Sequence, residues 1–301
     1  MAITTGAHPK ELWPGIKKIF GESYAEKALV CDMVFDTVSS DKKYEEYLEE
    51  TGFGLAPIKT EGASISYDTD AQGYLTRLTN VVYALGAKIT KEAISDNQYF
   101  AVGSQKSKKL ARSMRATKET VAANILNNGF TTASGGDGVA LLTTAHPTLS
   151  GNQANEPATA TDFSEAALEE ALTAIRGFKD SRGIYIQAKG QKLIVPPALE
   201  FEAERVLKSV LRSGTADNDA NAMRNMGAIP GGTVVWDYLT DADAWFVKTD
   251  VDTGLLHQQR WKLSLDQDND FDTKNACMSA MERYVFGWGD WRGVWGSPGS
   301  A

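Results

Sequence analysis

The sequence predicts an α+β fold, and three segments carry that prediction. Within residues 52–92, apolar and polar side chains alternate with a period of two on both sides of a polar turn, which is typical of a β-hairpin. Apolar side chains in residues 96–128 instead follow the spacing of one long helix. From residue 162 onward, shorter helical and strand patterns succeed one another, so this part of the chain is predicted to be a mixed lobe.

The composition is that of a folded, acidic, soluble protein. The 301 residues are 42% hydrophobic and 23% charged, with a net charge of −8. An acidic chain lacks the basic footprint of a protein whose main task is to grip nucleic acid. The N-terminus has no secretory pattern and no segment approaches the ~20 apolar residues of a membrane span, so we expect a cytoplasmic product. Cys31 and Cys277 have no metal-binding spacing and are expected to be buried in a reducing compartment.

The predicted hairpin has an outgoing arm at residues 57–67, a tip at 68–73 and a return arm at 81–89. A lone hairpin is marginally stable in water, so we expect this one to pack on other subunits. Its candidate contacts are Ile65, Tyr67, Tyr74 and Arg77.

Residues 1–50 do not form a domain, because a segment of this size cannot bury its apolar side chains by itself. They must lie on another part of the same subunit or on a neighbour, and we expect an adjacent subunit to cover them. The candidate contacts in this segment are Leu12, Trp13, Ile16, Ile19 and Phe20.

The long helix would span roughly 45–50 Å at 1.5 Å per residue. We expect Asp96 to cap its N-terminus and Gly129 to end it. Its predicted buried stripe comprises Leu110, Met114, Thr117, Val121 and Ile125. The middle of the helix is basic, with Lys106, Lys109, Arg112 and Arg115 as candidates for facing DNA; the alternative is a solvated face or ion pairs with an acidic neighbour.

A polar segment at residues 131–161 is the predicted connector to the mixed lobe. That lobe is expected to open with a capping box at Asp162 and Glu165 and to have a second helix after Pro196-Pro197. Its predicted strands are residues 183–188, 192–195, 233–236, 244–248 and 255–265. Residues 273–296 are expected to form a further strand followed by an aromatic-rich tail.

The sequence contains no pattern that predicts catalysis, a cofactor or a metal. Phosphate-binding, dinucleotide-binding and nucleophile-elbow motifs are absent. None of His8, His146 and His257 lies in a zinc motif, and no carboxylate close to His146 in sequence suggests a catalytic constellation. The acidic run 266–272 fails the EF-hand pattern because Phe271 and Cys277 occupy the positions that need Gly and Glu. A solvated turn is expected there.

Short motifs in a fixed order give the chain a family resemblance. They are PGIKKIFG (14–21), GFGLAP (52–57), YALG (83–86), LIVPP (193–197), WFVKTD (245–250) and FGW (286–288). In this order they resemble the major head subunits of tailed bacteriophages, closest to the Mu type, and they extend over nearly the whole chain. The resemblance implies the Hong Kong 97-type capsid fold.

What the resemblance implies can be stated segment by segment. Its parts would be an N-arm (1–50), an extended loop (51–93), a peripheral domain with a spine helix (94–161), an axial domain (162–270) and a return strand with a C-terminal segment (271–301). The chain would build an icosahedral shell of hexamers and pentamers around double-stranded DNA. It would be assembled in the host cytoplasm and reside in the virion.

The resemblance also implies partners: a separate scaffolding protein, a portal and a head-maturation protease, with only weak contacts to DNA. An encapsulin-like nanocompartment is the first alternative, and a co-purifying cargo enzyme would favour it. A hydrolase or ligand-binding enzyme is the second, and a polar constellation in a pocket would favour that. Lys59 has no context that predicts covalent crosslinking.

Overall fold

The computed structural model describes residues 9–90, 92, 99–133, 135–210, 220–270, 273 and 275–300, with only the backbone of residues 9–14, 99–101 and 269. The helices are α1 (Pro9–Ala25), α2 (Cys31–Val34), α3 (Tyr99–Asn127), α4 (Glu165–Arg176), α5 (Glu200–Lys208) and α6 (Ala222–Met226). The strands are β1 (Asp36–Ser39), β2 (Tyr44–Glu50), β3 (Gln72–Thr79), β4 (Val81–Ile89), β5 (His146–Thr148), β6 (Gly151–Gln153), β7 (Gly190–Val195), β8 (Thr233–Val235), β9 (Trp245–Thr249), β10 (Leu255–Asn269), β11 (Ala276–Trp288) and β12 (Val294–Ser297).

Two four-stranded sheets organise the described part of the chain. The first has the order β1-β10-β11-β4 and is built around the long antiparallel pair β10 and β11. The second has the order β12-β9-β7-β8. Its strand β9 is buried along its whole length, because α4 and the C-terminal aromatic residues cover it. No described helix has the length and apolar character needed to cross a membrane.

The long helix is confirmed as α3, which covers the first sheet together with α1. The predicted stripe is correct at Leu110 and Met114, which are buried. Further along, the helix turns a different face inward, so that Ala122 and Leu126 are buried while Val121 is only partly covered. The expected N-cap, Asp96, lies outside the described residues.

The predicted hairpin has different strands from those expected. Residues 57–67 form no strand, and the outgoing arm is instead β2, which pairs with β3 in the register Tyr44↔Thr79 to Glu50↔Gln72. The expected return arm, β4, pairs with β11 in the first sheet. A turn interrupts the alternation in residues 57–67, because Gly62 has a φ of +78° and Ala63 N donates to Thr60 O at 3.1 Å, so the segment does not run as one straight strand.

The second lobe also departs from expectation in detail. Ser164, rather than Asp162, caps α4, and its side chain accepts a hydrogen bond from Ala167 N. Residues 183–188 form no strand beyond one bridge between Lys179 and Tyr185. The sheets do not divide at residue 270, because β10 belongs to the first sheet and β12 pairs with β9 in the second.

Two smaller expectations are corrected. Residues 266–269 lie within β10 rather than in a turn, since Asp266 pairs with Ser279 and Asp268 with Cys277. Cys31 is buried as predicted, but Cys277 is only partly covered.

Candidate assembly surfaces

The loop of residues 51–71, which joins β2 to β3, exposes apolar side chains that the chain itself does not cover. Ile58 is 96% exposed and Tyr67 is 91% exposed, and Phe53, Leu55 and Ile65 are also largely open to solvent. Single exposed apolar residues are ordinary on protein surfaces, but five in one loop form a feature that calls for a partner. We call this segment the apolar loop.

The base of the apolar loop is held by hydrogen bonds. Thr51 N and Thr51 Oγ1 donate to Ala71 O at 3.1 and 2.9 Å, and Ala71 N donates back to Thr51 Oγ1 at 3.0 Å. The Asp68 carboxylate accepts a hydrogen bond from Gly54 N at 2.8 Å. This bond and a second one from the backbone of Thr69 lower the pKa of that carboxyl group. Arg182 of the second lobe donates to Thr69 O. The loop is therefore closed at its base while its apolar side chains face solvent.

The four candidate contacts from the predicted hairpin fall into two groups. Ile65 and Tyr67 lie in the apolar loop and are exposed. Tyr74 and Arg77 lie on β3 and have partners in their own chain. The Tyr74 hydroxyl donates to Pro147 O, and Arg77 Nε donates to Glu46 Oε1 at 2.8 Å. The first pair is available to a neighbour. In the second pair, Arg77 stabilises the β2–β3 hairpin and Tyr74 connects β3 to β5.

The N-terminal candidates are placed mostly against the chain's own body. Ile16 and Phe20 are buried in a cluster with Ile89 and Met114, because α1 packs along α3. This removes the reason for expecting those two side chains at a subunit boundary. Ile19 is partly covered, and the side chains of Leu12 and Trp13 lie outside the described part of the chain.

The basic residues of α3 do not form one open patch. Lys106 Nζ donates to Lys88 O, and Arg115 donates to Ala28 O at 3.1 Å. Lys109 and Arg112 are exposed, lie three residues apart on one helix face, and form no ion pair among the described residues. The candidate DNA-facing set is therefore reduced to these two, with Lys106 and Arg115 engaged by backbone carbonyls.

Lys118 and Glu282 form a buried ion pair that composition and periodicity did not reveal. Lys118 Nζ lies 2.7 Å from Glu282 Oε1, and the two side chains are 4% and 1% exposed. Gln259 adds a hydrogen bond to the same oxygen at 3.0 Å. From the sequence alone, Lys118 looks like one more exposed basic residue of the long helix, because its partner Glu282 lies 164 residues away.

The adjacent residue, Glu119, joins three segments of the chain. Its carboxylate accepts hydrogen bonds from Val30 N at 2.6 Å, Cys31 N at 3.2 Å and Trp236 Nε1 at 2.9 Å. Burial raises the pKa of this carboxyl group, while the hydrogen bonds oppose that rise. Glu119 therefore connects the N-terminal segment, the long helix and the second lobe.

A second buried polar cluster surrounds His146, and it includes the carboxylate of Asp137, which no sequence pattern linked to this histidine. His146 Nδ1 lies 2.6 Å from Asp137 Oδ2, and the ring stacks on Trp291 with centroids 4.0 Å apart. His146 Nε2 faces Asn155 Oδ1 at 3.1 Å. The orientation of Asn155 follows from its Nδ2, which donates to the carbonyls of Leu141, Trp291 and Val294.

This arrangement differs from that of a catalytic triad. The amide oxygen of Asn155 occupies the position where a nucleophile would meet the histidine ring. The cluster instead connects the segment after α3 to the C-terminal segment. Burial lowers the pKa of a further histidine, His257, to about 3, with the nearby Lys118 charge as a smaller cause, so that ring is neutral. Among the described residues, no group of three or more His, Cys, Asp or Glu could hold a metal ion.

Comparisons with known proteins identify the class. The fold is similar to the subunit in the procapsid of bacteriophage JBD30 (TM-score 0.53, 16% identity, 99% of this chain and 77% of that one). It is similar to the capsid subunit of an empty GTA particle (0.55, 13%, 88% of each). A virus-like particle from Pyrococcus furiosus is also similar (0.54, 8%, 95% and 99%). These likenesses establish the capsid fold. A search of curated proteins gives no significant match.

A comparison of the sequence with protein-family models identifies the family. The model of the phage capsid protein family matches residues 76–297, which is well over half of the chain. The chain belongs to the phage capsid protein family. Its role is that of a major capsid protein in the shell of the virion, and the predicted Hong Kong 97-type fold is confirmed. Closeness to the Mu type stays a prediction.

Proposed function

We propose that the chain assembles into hexamers and pentamers of a closed head shell, with the apolar loop lying on a neighbouring subunit. The observation that carries this proposal is the set of large apolar side chains that the loop leaves in solvent, Phe53, Leu55, Ile58 and Tyr67 among them. Burying one such side chain contributes roughly 1.5–3 kcal/mol. A repeated contact of this kind around a closed ring makes individually weak interactions cooperative.

The proposed role is structural, without a chemical step. Among the described residues, His146 and Asp137 are the only histidine–carboxylate pair with both side chains buried. Asn155 and stacking on Trp291 fix the position of the histidine ring. A group that is locked in this way supports the packing of the fold. We further propose that a separate scaffolding protein, a portal and a head-maturation protease act with the shell, and that assembly takes place in the host cytoplasm.

An encapsulin-like shell is the second candidate function, because the virus-like particle from Pyrococcus furiosus shows that similar folds also occur in particles from an archaeon. The two functions differ in what the shell encloses. Electron microscopy and nuclease protection on particles from the full chain separate them. Shells that protect double-stranded DNA support the head protein, shells filled with a cargo enzyme support the alternative, and monomers at every concentration would contradict both.

We expect Lys109 and Arg112 to contact packaged DNA. Changing both to Gln removes two exposed charges that form no ion pair within the described ranges, so DNA retention and its salt dependence should fall while shell formation is unchanged. Retention is measured by nuclease protection at rising salt. Glu204→Gln on the second lobe is the matched surface control. Loss of assembly before loss of DNA would instead identify the two residues as a contact between proteins.

A further inference from the structure

The first turn of α5 presents an aromatic side chain with acidic neighbours. Phe201 is 76% exposed, although the opposite face of the same helix buries Ala203 and Val206 in the core. Glu200 and Glu202 flank Phe201, and neither has an ion-pair partner among the described residues. A phenyl ring exposed to water on a helix, with an acidic residue directly before and after it in the sequence, is the pattern of one half of an interface.

A largely apolar groove lies on the same lobe, and its lining includes two cationic residues and one acidic residue. It runs between α4, α6 and the start of β7, and its volume is about 640 Å³. Leu172, Met223 and Met226 supply apolar surface, and Met226 is 79% exposed. Arg176 and Lys189 line it together with Glu169, and neither cation forms an ion pair among the described residues. Phe201 does not line the groove.

The exposed Phe201 side chain and the groove are complementary in shape and in charge. The groove is large enough for an aromatic ring, and its methionine side chains adapt to the shape of what enters. The carboxylates of Glu200 and Glu202, which form no ion pair in the described part of the chain, would meet Arg176 and Lys189, which outnumber the one acidic residue of the lining, Glu169. Because one surface is convex and the other concave, and both belong to the same chain, a second copy can satisfy each of them.

We propose that Phe201 of one subunit inserts into the groove between α4 and α6 of the next subunit in the ring. This inference rests on the proposed shell function and names a contact for it. A contact between two different surfaces of identical chains is head-to-tail, and repetition of such a contact closes a ring when the rotation between subunits is a whole fraction of a turn. The apolar loop and the Phe201 contact would then hold each subunit to its neighbours at two separate places.

Four variants of the full chain test the proposal. Phe201→Ser should raise the concentration needed for assembly at least about tenfold, whereas Phe201→Leu should stay close to the unmodified chain. The pair Glu200→Lys and Glu202→Lys should also impair assembly, because it places cations against Arg176 and Lys189. Adding Arg176→Glu and Lys189→Glu to that pair should restore assembly, since the charges are then complementary again.

The outcomes separate the inference from the function on which it depends. Phe201 is exposed in the subunit, so the thermal unfolding midpoint of Phe201→Ser should match that of the unmodified chain. Normal shells from Phe201→Ser, or a four-residue charge swap that assembles no better than the two-residue variant, would overturn the contact and leave the shell function intact. Failure of the unmodified chain to form rings or shells would overturn the shell function itself.

Discussion

Removal of residues 53–69 is expected to leave a folded, soluble subunit that cannot form shells. The hairpin beneath the loop does not need this segment, because the β2–β3 register ends at Glu50↔Gln72 and the Thr51–Ala71 hydrogen bonds close its base. The deletion removes the exposed side chains of Phe53, Leu55 and Ile58 among others, and with them the apolar area that the proposed contact buries. Sedimentation of the purified variant distinguishes subunits from shells.

The matched control keeps the length of the loop and its apolar side chains. Ser64→Ala with Ser66→Ala changes only small polar residues of the same exposed segment and should assemble normally. The deletion must end before β3, because a deletion of residues 60–79 would also remove β3 and break the hairpin. Normal shells from the 53–69 deletion would show that the loop is not an assembly surface.

Separation of the Lys118–Glu282 pair is expected to destabilise the subunit strongly. Lys118→Met leaves a buried carboxylate without its cation, and loss of one partner from such a pair costs about 3–5 kcal/mol. That is a large fraction of the 5–15 kcal/mol by which a domain is typically stable. Glu282→Leu should cost a similar amount for the converse reason. Urea unfolding of the unassembled subunit measures both free energies.

The double variant makes this prediction specific. With both charges gone, no unpaired ion remains in the core, so Lys118→Met with Glu282→Leu should cost much less than the two single changes added together. Lys109→Met, an exposed lysine on the same helix, is the control and should change stability by no more than about 0.5 kcal/mol. Additive costs for the two buried positions would indicate that they do not interact.

The parts of the fold that could be predicted from sequence are those that local spacing determines. Period 3.6 placed α3 to within three residues at its N-terminus and one at its C-terminus, and short apolar runs located β7, β8 and β9 to within two residues at each end. These signals arise within one element, so no knowledge of distant contacts is needed to interpret them.

The parts that could not be predicted depend on distant partners. Alternation shows that β4 is a strand but not that β11, almost 200 residues later, is its neighbour. Lys118 and Glu119 resemble their exposed neighbours in the helix, and only the tertiary structure brings Glu282, Val30 and Trp236 to them. Asp137 was overlooked because it lies in a Gly-rich segment that predicts a loop, where a buried ion partner is not expected.

The central claim is that the chain closes into a shell by burying its apolar loop on neighbouring subunits. Cryo-electron microscopy of the particles formed by the unmodified full chain tests that claim most directly. We predict rings of five and six subunits in a closed shell, with residues 53–69 of each subunit lying on an adjacent one and Ile58 and Tyr67 removed from solvent. Particles in which residues 53–69 contact no neighbour, or preparations that contain only monomers, would contradict it.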